Sequence, residues 1–443
     1  MSRDKINGSS SPSWFCQSRL ALFPLSTLEY WRKKYGATFT VPMRSPNGFA
    51  IYLTRYVDIQ SAFNASDANT IRANSEMSIK IFGDFSIFNS SEINGDHVHQ
   101  RGLFIRYLVE TGPQAQMSLI KSVVDKKIDS LSSSKISLLS FMSDITVEVT
   151  SKLLFGEDLG RSEQNIIQYV SQIVDLIRSR NHNLALRSVN LFNAKTNKIW
   201  LLISDYRHHV LKEVQHLLAT KWRPNSSEDK SSYIYKLVKN IPPNLPSEDL
   251  ALFLRDEIIT LIFAGMDTTA ISTSFGLVHL YSSDHLLQRF KQHSTNCEDI
   301  QIFQNNFIEA FCLESVRLFP TIVDLPRLVI KEVQLTDCTI YPNDIIFMAP
   351  YLTSTSDNQI FSHAAKFDPD RFLEKTNSAN QVLGFSYGQR RCPGARLAIL
   401  QMSYIIAKLS QIDRLEVTPK KSHRFKSGVF MMPSLASTLS LKV

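Results

Sequence analysis

The amino-acid sequence predicts a mainly α protein with small β-sheets at its flanks. Three observations carry that reading. Helical periodicity runs almost unbroken from about residue 57 to about residue 320. A proline-free apolar stretch extends from Ser247 to Tyr281, long enough for about ten helical turns. Short alternating strands are confined to residues 37–54 and to the chain beyond Pro320.

In chain order, residues 1–18 read as a flexible leader, and 19–443 as the domain that carries the function. Leu25, Leu28, Trp31 and Tyr35 share a helical face that ends at Gly36. Ala37–Met43 and Phe49–Thr54 alternate as strands around Pro46-Asn47-Gly48, a strong turn signal, so they form a hairpin. Leu119–Leu131, Leu139–Leu154, Asn165–Ser179 and Lys198–Leu218 keep helical period, separated by serine-rich and proline-rich breaks. Past Pro320 the texture changes to strands at Leu328–Leu335 and Ile345–Ala349. A further helix is expected from Ala395 to about Leu409, then terminal strands at Leu415–Val417 and Ser434–Leu441.

Composition excludes several function classes. The chain has 443 residues, 43% hydrophobic and 20% charged, which suits a large buried core. Its five cysteines include no C-x-x-C pair, so neither a disulfide framework nor a zinc site is expected, and a reducing, cytoplasmic setting fits. No secretory signal and no transmembrane segment is expected: the patch Leu20–Leu25 is broken by Pro24, and the Ile258–Ala264 run is soon followed by Asp267, threonines and serines. The net charge of +8 is spread along the chain without an aromatic–basic motif. Nucleic acid is therefore not the expected partner. A docking face for an acidic electron-transfer protein is preferred, with a merely solvated basic surface as the alternative.

The most informative run is Phe385-Ser-Tyr-Gly388-Gln-Arg390-Arg391-Cys392-Pro393-Gly394. It sets a cysteine at a helix mouth, where unpaired N–H groups, the helix dipole and Arg390, Arg391 and Arg396 favour a thiolate. Pro393 suits the first helical position. Gly388 and Gly394 let backbone approach a flat partner closely, and Phe385 can shield the sulfur. Together these suit a soft ligand beneath a planar metal macrocycle. A buried structural cysteine at a helix start is the bland alternative.

Written F-x-x-G-x-R-x-C-x-G, the run resembles the haem-binding signature of the cytochromes P-450, with Ser386 standing where glycine is common. The resemblance implies the cytochrome P-450 fold, with haem b (iron protoporphyrin IX) between a long central helix and the cysteine loop, and Cys392 as its thiolate ligand. It extends to other motifs in the same order. Ala264-Gly265-Met266-Asp267-Thr268 sits inside the long helix, where glycine, an acid and a threonine are each unfavourable. Gly265 lets another group approach, Thr268 can bond back to the Ala264 carbonyl, and Asp267 stands one residue away. A kinked core helix with an incidental acid is the alternative. The run is similar to the family's oxygen-activating motif, which would make Asp267 and Thr268 the groups that guide protons to O2.

Glu314 and Arg317 lie three apart on one helix face. Alone they read as a solvated pair; in the family such a pair joins an arginine like Arg371, in Phe367-Asp368-Pro369-Asp370-Arg371-Phe372, as a structural lock. For the haem propionates the resemblance offers Arg390, Arg327, His97 and Arg101, although a surface histidine on an exposed helix explains His97 nearly as well. By position in the family, Phe82, Phe85, Phe88, Phe263, Val323, Val429 and Phe430 would line an apolar pocket, against ordinary core packing as the plain reading of each.

The resemblance therefore implies a monomeric haem-thiolate monooxygenase. It would insert one atom of O2 into a C–H or C=C bond of a lipophilic small molecule (a fatty acid, terpenoid or steroid-like compound). Electrons would come from a separate ferredoxin or flavoprotein reductase. The alternatives are a haem-thiolate peroxygenase, isomerase or dehydratase, or a non-catalytic haem-binding protein.

Overall fold

The computed structural model describes residues 6–43, 45–64, 70–72, 76–90, 96–132, 134–179, 182, 197–222, 231–240, 247–295, 297–373, 378–418, 426–427, 431–432 and 437–441. Two helices come first, Ser13–Leu22 (α1) and Pro24–Tyr35 (α2). The leader expected to be flexible is packed over its described residues. The Ser9 N–H donates to the Thr40 carbonyl at 3.1 Å, and Cys16 is fully buried among core side chains.

The hairpin forms where the sequence alternates. Thr38–Pro42 (β1) pairs antiparallel with Phe49–Leu53 (β2), and Gly48 closes the turn at a φ of +75°, a conformation glycine adopts freely. Tyr56–Phe63 (α3), Thr70–Arg72 (β3) and Glu76–Phe82 (α4) follow. Asp96–Asp129 (α5) is broken at Gly112, where φ is +75° just before Pro113. Next come Ile136–Ser137 (β4), Leu138–Phe155 (α6), Arg161–Arg178 (α7), Lys198–Thr220 (α8) and Tyr233–Asn240 (α9).

Ser247–Leu280 (α10) is the longest uninterrupted helix described. Glu248 and Asp249 favour its N-terminus, and apolar residues surround it on all sides, which is what a helix through the middle of a core requires. It is long and apolar enough to cross a bilayer, yet 83% of its most apolar window is buried inside the protein. α6, α7, α8, Asn306–Leu318 (α13) and Ala395–Ser410 (α15) pack against it. Asp284–Ser294 (α11) and Asp299–Gln304 (α12) lead into α13, and Pro350–Ser356 (α14) comes before the loop that carries Cys392.

The principal sheet has the order β1-β2-β8-β5-β3, where β5 is Leu325–Val329 and β8 is Ile345–Met348. β2 runs parallel to β8, joining residues 50–53 to residues 345–348. The single strand expected at Leu328–Leu335 is divided into β5 and the short Val333–Gln334 (β6), which pairs with Thr339–Ile340 (β7). Leu415–Thr418 (β9) and Thr438–Leu441 (β12) form a three-stranded sheet with β4, and Lys426–Ser427 (β10) pairs with Met431–Met432 (β11).

Candidate active site

Cys392 stands at the mouth of α15. Its N–H donates to the Phe385 carbonyl at 2.7 Å, closing a loop built from two 3-10 turns, Leu383–Phe385 and Gly388–Arg390. Gly388 has a φ of +70°. Ser386 takes φ +63° and ψ −174°, a region essentially reserved for glycine, which explains why glycine is common at this place in the signature. The Ser386 hydroxyl accepts a hydrogen bond from Arg327 at 3.4 Å. The helix begins at Ala395 with Gly394 as its N-cap, so Pro393 lies just outside it and not at the first helical position.

Cys392 remains accessible to solvent, whereas Cys16, Cys312 and Cys338 are buried. Burial pushes the Cys312 thiol up to about 12, which makes it an inert core residue. Around Cys392, burial again raises the pKa; the Gly394 N–H, Arg391 and Arg101 oppose that in this order, and burial prevails. In such a setting it is a metal ion on the sulfur that displaces the thiol proton.

Most of α10 is fully buried along its middle, but Ala264, Gly265 and Thr268 are partly exposed and form an open strip. The Thr268 hydroxyl donates to the Ala264 carbonyl at 2.6 Å. Thr146 donates to the Met266 carbonyl at 2.7 Å, and Thr321 to the Thr268 carbonyl at 3.3 Å. Several carbonyls of this segment thus carry a hydroxyl partner, as expected where a helix is locally opened. Gly265 is required by helix packing: a Cβ there would lie 2.5 Å from Thr150 Oγ1 on α6. Its missing side chain thus answers to the close approach of α6.

Asp267 points away from the strip into full burial. Both of its oxygens are engaged by Arg178 at the end of α7, with Arg178 Nε donating to Oδ2 at 2.7 Å. Burial raises the pKa of this carboxyl, while Arg178 draws it down. Arg178 also donates to the Ser143 hydroxyl at 2.8 Å. No local sequence signal connects Arg178 to Asp267, because 89 residues separate them.

The cations do not all reach the cysteine loop in the same way. Arg101 Nη2 donates to the Arg391 carbonyl at 2.9 Å, while its buried Nε has no partner. Arg391 donates to the Ala379 carbonyl at 2.8 Å, and its buried Nη1 is likewise unmatched. Arg391 thus emerges as a clamp candidate, although the sequence singled it out only as a cation beside the thiol. Arg390 directs its guanidinium at the carbonyls of Ile87, Phe88 and Ser90. His97 is buried, with Nδ1 3.2 Å from the Ile87 carbonyl, so it is not a surface histidine. Arg327 lies over the Phe63 ring at 4.8 Å.

Glu314, Arg317 and Arg371 meet in the core. Arg317 donates to both Glu314 oxygens at 2.6 and 2.8 Å, and Arg371 Nε to Oε1 at 3.1 Å. The same oxygen accepts the Asp368 N–H at 2.7 Å. The guanidiniums then hold the carbonyls of Ser354, Ala364, Lys366 and Ser362. One buried carboxylate thereby fixes the chain segment that leads to the cysteine loop. Two guanidiniums share this one carboxylate, and the carbonyls take up further N–H groups, which is what makes such burial tolerable.

Of the expected pocket residues, Phe82, Phe88 and Phe263 cluster edge-to-face, with Phe82 5.0 Å from Phe88 and 4.8 Å from Phe263. Val323 is buried. Phe85 departs from the group: it is 41% exposed and packs on Phe253, ten residues and roughly 15 Å along α10 from Phe263. Val429 and Phe430 lie outside the described residues.

This arrangement fits a thiolate-ligated haem. A soft donor is accessible at the helix mouth, two half-buried cationic side chains each carry a buried, unmatched N–H suited to carboxylates, and a partly exposed strip interrupts an otherwise buried helix. The chain belongs to the cytochrome P450 family, whose model matches residues 14–440, and it is a cytochrome P450 monooxygenase. A protein named as cytochrome P450 135B1 of Mycobacterium tuberculosis is 23% identical over 431 residues, 93% of this chain and 86% of its own length. The mitochondrial cholesterol side-chain cleavage enzyme of Hypanus americanus is 20% identical over 327 residues, 70% of this chain and 63% of that protein. The solved structure of a retinoic acid-bound cyanobacterial cytochrome P450, CYP120A1, superposes over the full length of both chains. Its TM-score is 0.81 at 16% identity, which marks a shared fold.

Proposed function

We propose that this monooxygenase hydroxylates or epoxidises a small lipophilic substrate, with electrons supplied by a separate ferredoxin or flavoprotein reductase in the cytoplasm. The observation that carries the substrate class is the aromatic cluster of Phe82, Phe88 and Phe263, set beside the partly exposed strip of α10. An apolar wall beside the Thr268 hydroxyl holds an uncharged molecule by area.

Haem held by Cys392 supplies dioxygen activation and the oxidising power. The Cys392 sulfur would be the ligand, with the Gly394 N–H, Arg391 and Arg101 stabilising its negative charge. Arg101 and Arg391, with their unmatched N–H groups, are the better placed partners for the propionates. Arg390 and His97 act further back by holding the 87–90 turn. Thr268 keeps its proton in the bond to the Ala264 carbonyl, ready to donate into the strip. Asp267 would exchange protons only after Arg178 lets it go, because that ion pair occupies both of its oxygens.

The test is the carbon monoxide difference spectrum of the reduced protein, with total haem measured separately. The strongly red-shifted Soret band of a thiolate-ligated haem is expected in the wild type and should vanish in Cys392→Ala. An unshifted band in haem-loaded wild type would sink the ligand assignment.

A further inference from the structure

The outer faces of α1 and α2 form an apolar surface that the haem chemistry does not use. Trp14, Phe15, Leu22, Phe23 and Tyr30 are 63%, 39%, 39%, 52% and 49% exposed. Of the large hydrophobic side chains exposed among the described residues, no other group is so dense in sequence. Scatter of single surface hydrophobes therefore does not account for it. The inward faces of the same helices, through Cys16, Leu20, Leu25, Leu28 and Trp31, are anchored in the main core. The outward face is thus held rigidly in place.

The two outer faces are continuous. The Arg19 guanidinium lies 6.0 Å from the Phe15 ring centre and 5.7 Å from that of Tyr30, bridging α1 to α2. Lys34 sits 5.8 Å from Tyr30 and 5.2 Å from Tyr35, and Lys33 beside it is exposed. Glu29 is the one carboxylate in the Ser13–Tyr35 segment. Arg32 turns inward, onto the Thr54 hydroxyl and the Ser356 carbonyl, so the outward cations are Arg19, Lys33 and Lys34.

We propose that α1 and α2 dock this protein on the surface of an anionic lipid bilayer. Trp14, Phe15, Leu22, Phe23 and Tyr30 enter the boundary between headgroups and acyl chains, and Arg19, Lys33 and Lys34 meet the phosphates. Tryptophan and tyrosine rings, apolar in body and polar at one edge, suit that depth. Long cationic side chains can lay their stems along the apolar face while their charges reach the headgroups. Anionic lipid complements the charge of the patch. A second copy of the chain would bring the same three cations against their own counterparts across a two-fold axis, which disfavours self-association there.

Trp14 makes the proposal directly measurable. Trp31, Trp200 and Trp222 are at most 5% exposed, so a change in tryptophan emission on docking reports Trp14. With haem-loaded protein, vesicles of phosphatidylcholine containing phosphatidylserine should sediment the protein and shift its emission to shorter wavelength. Phosphatidylcholine alone should do so weakly. A Phe15→Ser, Leu22→Ser, Phe23→Ser triple variant should lose about tenfold or more in vesicle affinity, with the haem spectrum and unfolding midpoint unchanged. An Arg19→Gln, Lys33→Gln, Lys34→Gln variant should lose the dependence on phosphatidylserine and on salt. Trp14→Phe should abolish the emission shift but keep sedimentation. The proposal is overturned if neither vesicle sediments the protein or if the triple variant binds as well as wild type. It is equally overturned if the emission shift follows protein concentration without lipid, which would assign the surface to a second copy.

Discussion

Ser386 shows how one residue can match a pattern in chemistry and resist it in conformation. Its φ of +63° with ψ −174° falls where only glycine is at ease, a placement that costs roughly 1–3 kcal/mol. A hydrogen bond from Arg327 at 3.4 Å offsets part of this, but the distance is long for a strong bond. Glycine would relieve the strain and give back about 0.5–1 kcal/mol through the greater freedom of the unfolded chain. Ser386→Gly should therefore stabilise the protein by about 1 kcal/mol and raise its unfolding midpoint by about 1–2 °C, with the haem spectrum retained. A lower midpoint would mean that the Arg327 contact outweighs the strain. The sequence revealed the substitution but not its cost, because a dihedral angle is set by the loop as a whole. Cys392 teaches the converse. Its helix-mouth position was legible, whereas the Arg101 guanidinium that acts on it comes from α5, far away in sequence.

At the scale of elements, the readable parts were those with local causes. The Pro46-Asn47-Gly48 turn fixes its hairpin, and the acids Glu248 and Asp249 in the first turn with the absence of proline fix α10 to within a residue at each end. What escaped was pairing between distant parts: the parallel β2–β8 ladder, the Arg178–Asp267 ion pair and the fit of α6 against Gly265. Periodicity shows that an element has a buried face, not which element covers it. Gly265 makes the point testable. An added Cβ would lie 2.5 Å from Thr150 Oγ1 and 2.9 Å from Cγ2, so Gly265→Ala should cost about 1–3 kcal/mol by forcing α6 and α10 apart. Thr150→Ala removes both offending atoms and should recover most of the loss when combined with Gly265→Ala. If the single variant unfolds at the wild-type midpoint, the interface has slack and the packing account fails. If the double variant is no better than the single, the glycine answers to something other than Thr150.

Across the whole molecule, a buried polar network joins the 83–90 turn to α8, α9 and α10. Asp256 accepts from Arg207 at 3.0 Å, from Arg255 at 2.8 Å and from the Phe85 N–H at 3.3 Å. Next to it, Glu257 is fully buried and accepts from the Tyr233 hydroxyl at 3.4 Å, while its Oε2 has no partner. Burial is the largest influence and pushes the Glu257 carboxyl up to about 7; Tyr233 and the Ile87 N–H lower it, and Asp256 raises it again. The folded state therefore binds this proton more tightly than the unfolded chain, whose value lies near 4.5. Its contribution to stability is complete below that lower value and is lost as pH rises through about 7. A gap of that size is worth roughly 3 kcal/mol. Unfolding midpoints measured between about pH 5 and pH 8 should fall for the wild type relative to Glu257→Gln, which keeps the shape but cannot ionise. The variant should be the more stable protein at the alkaline end, where the wild type must hold an uncompensated buried charge. Parallel pH profiles for the two proteins would show that Glu257 does not titrate in this window. The network would then have to satisfy Oε2 by another route, with the carboxylate ionised throughout.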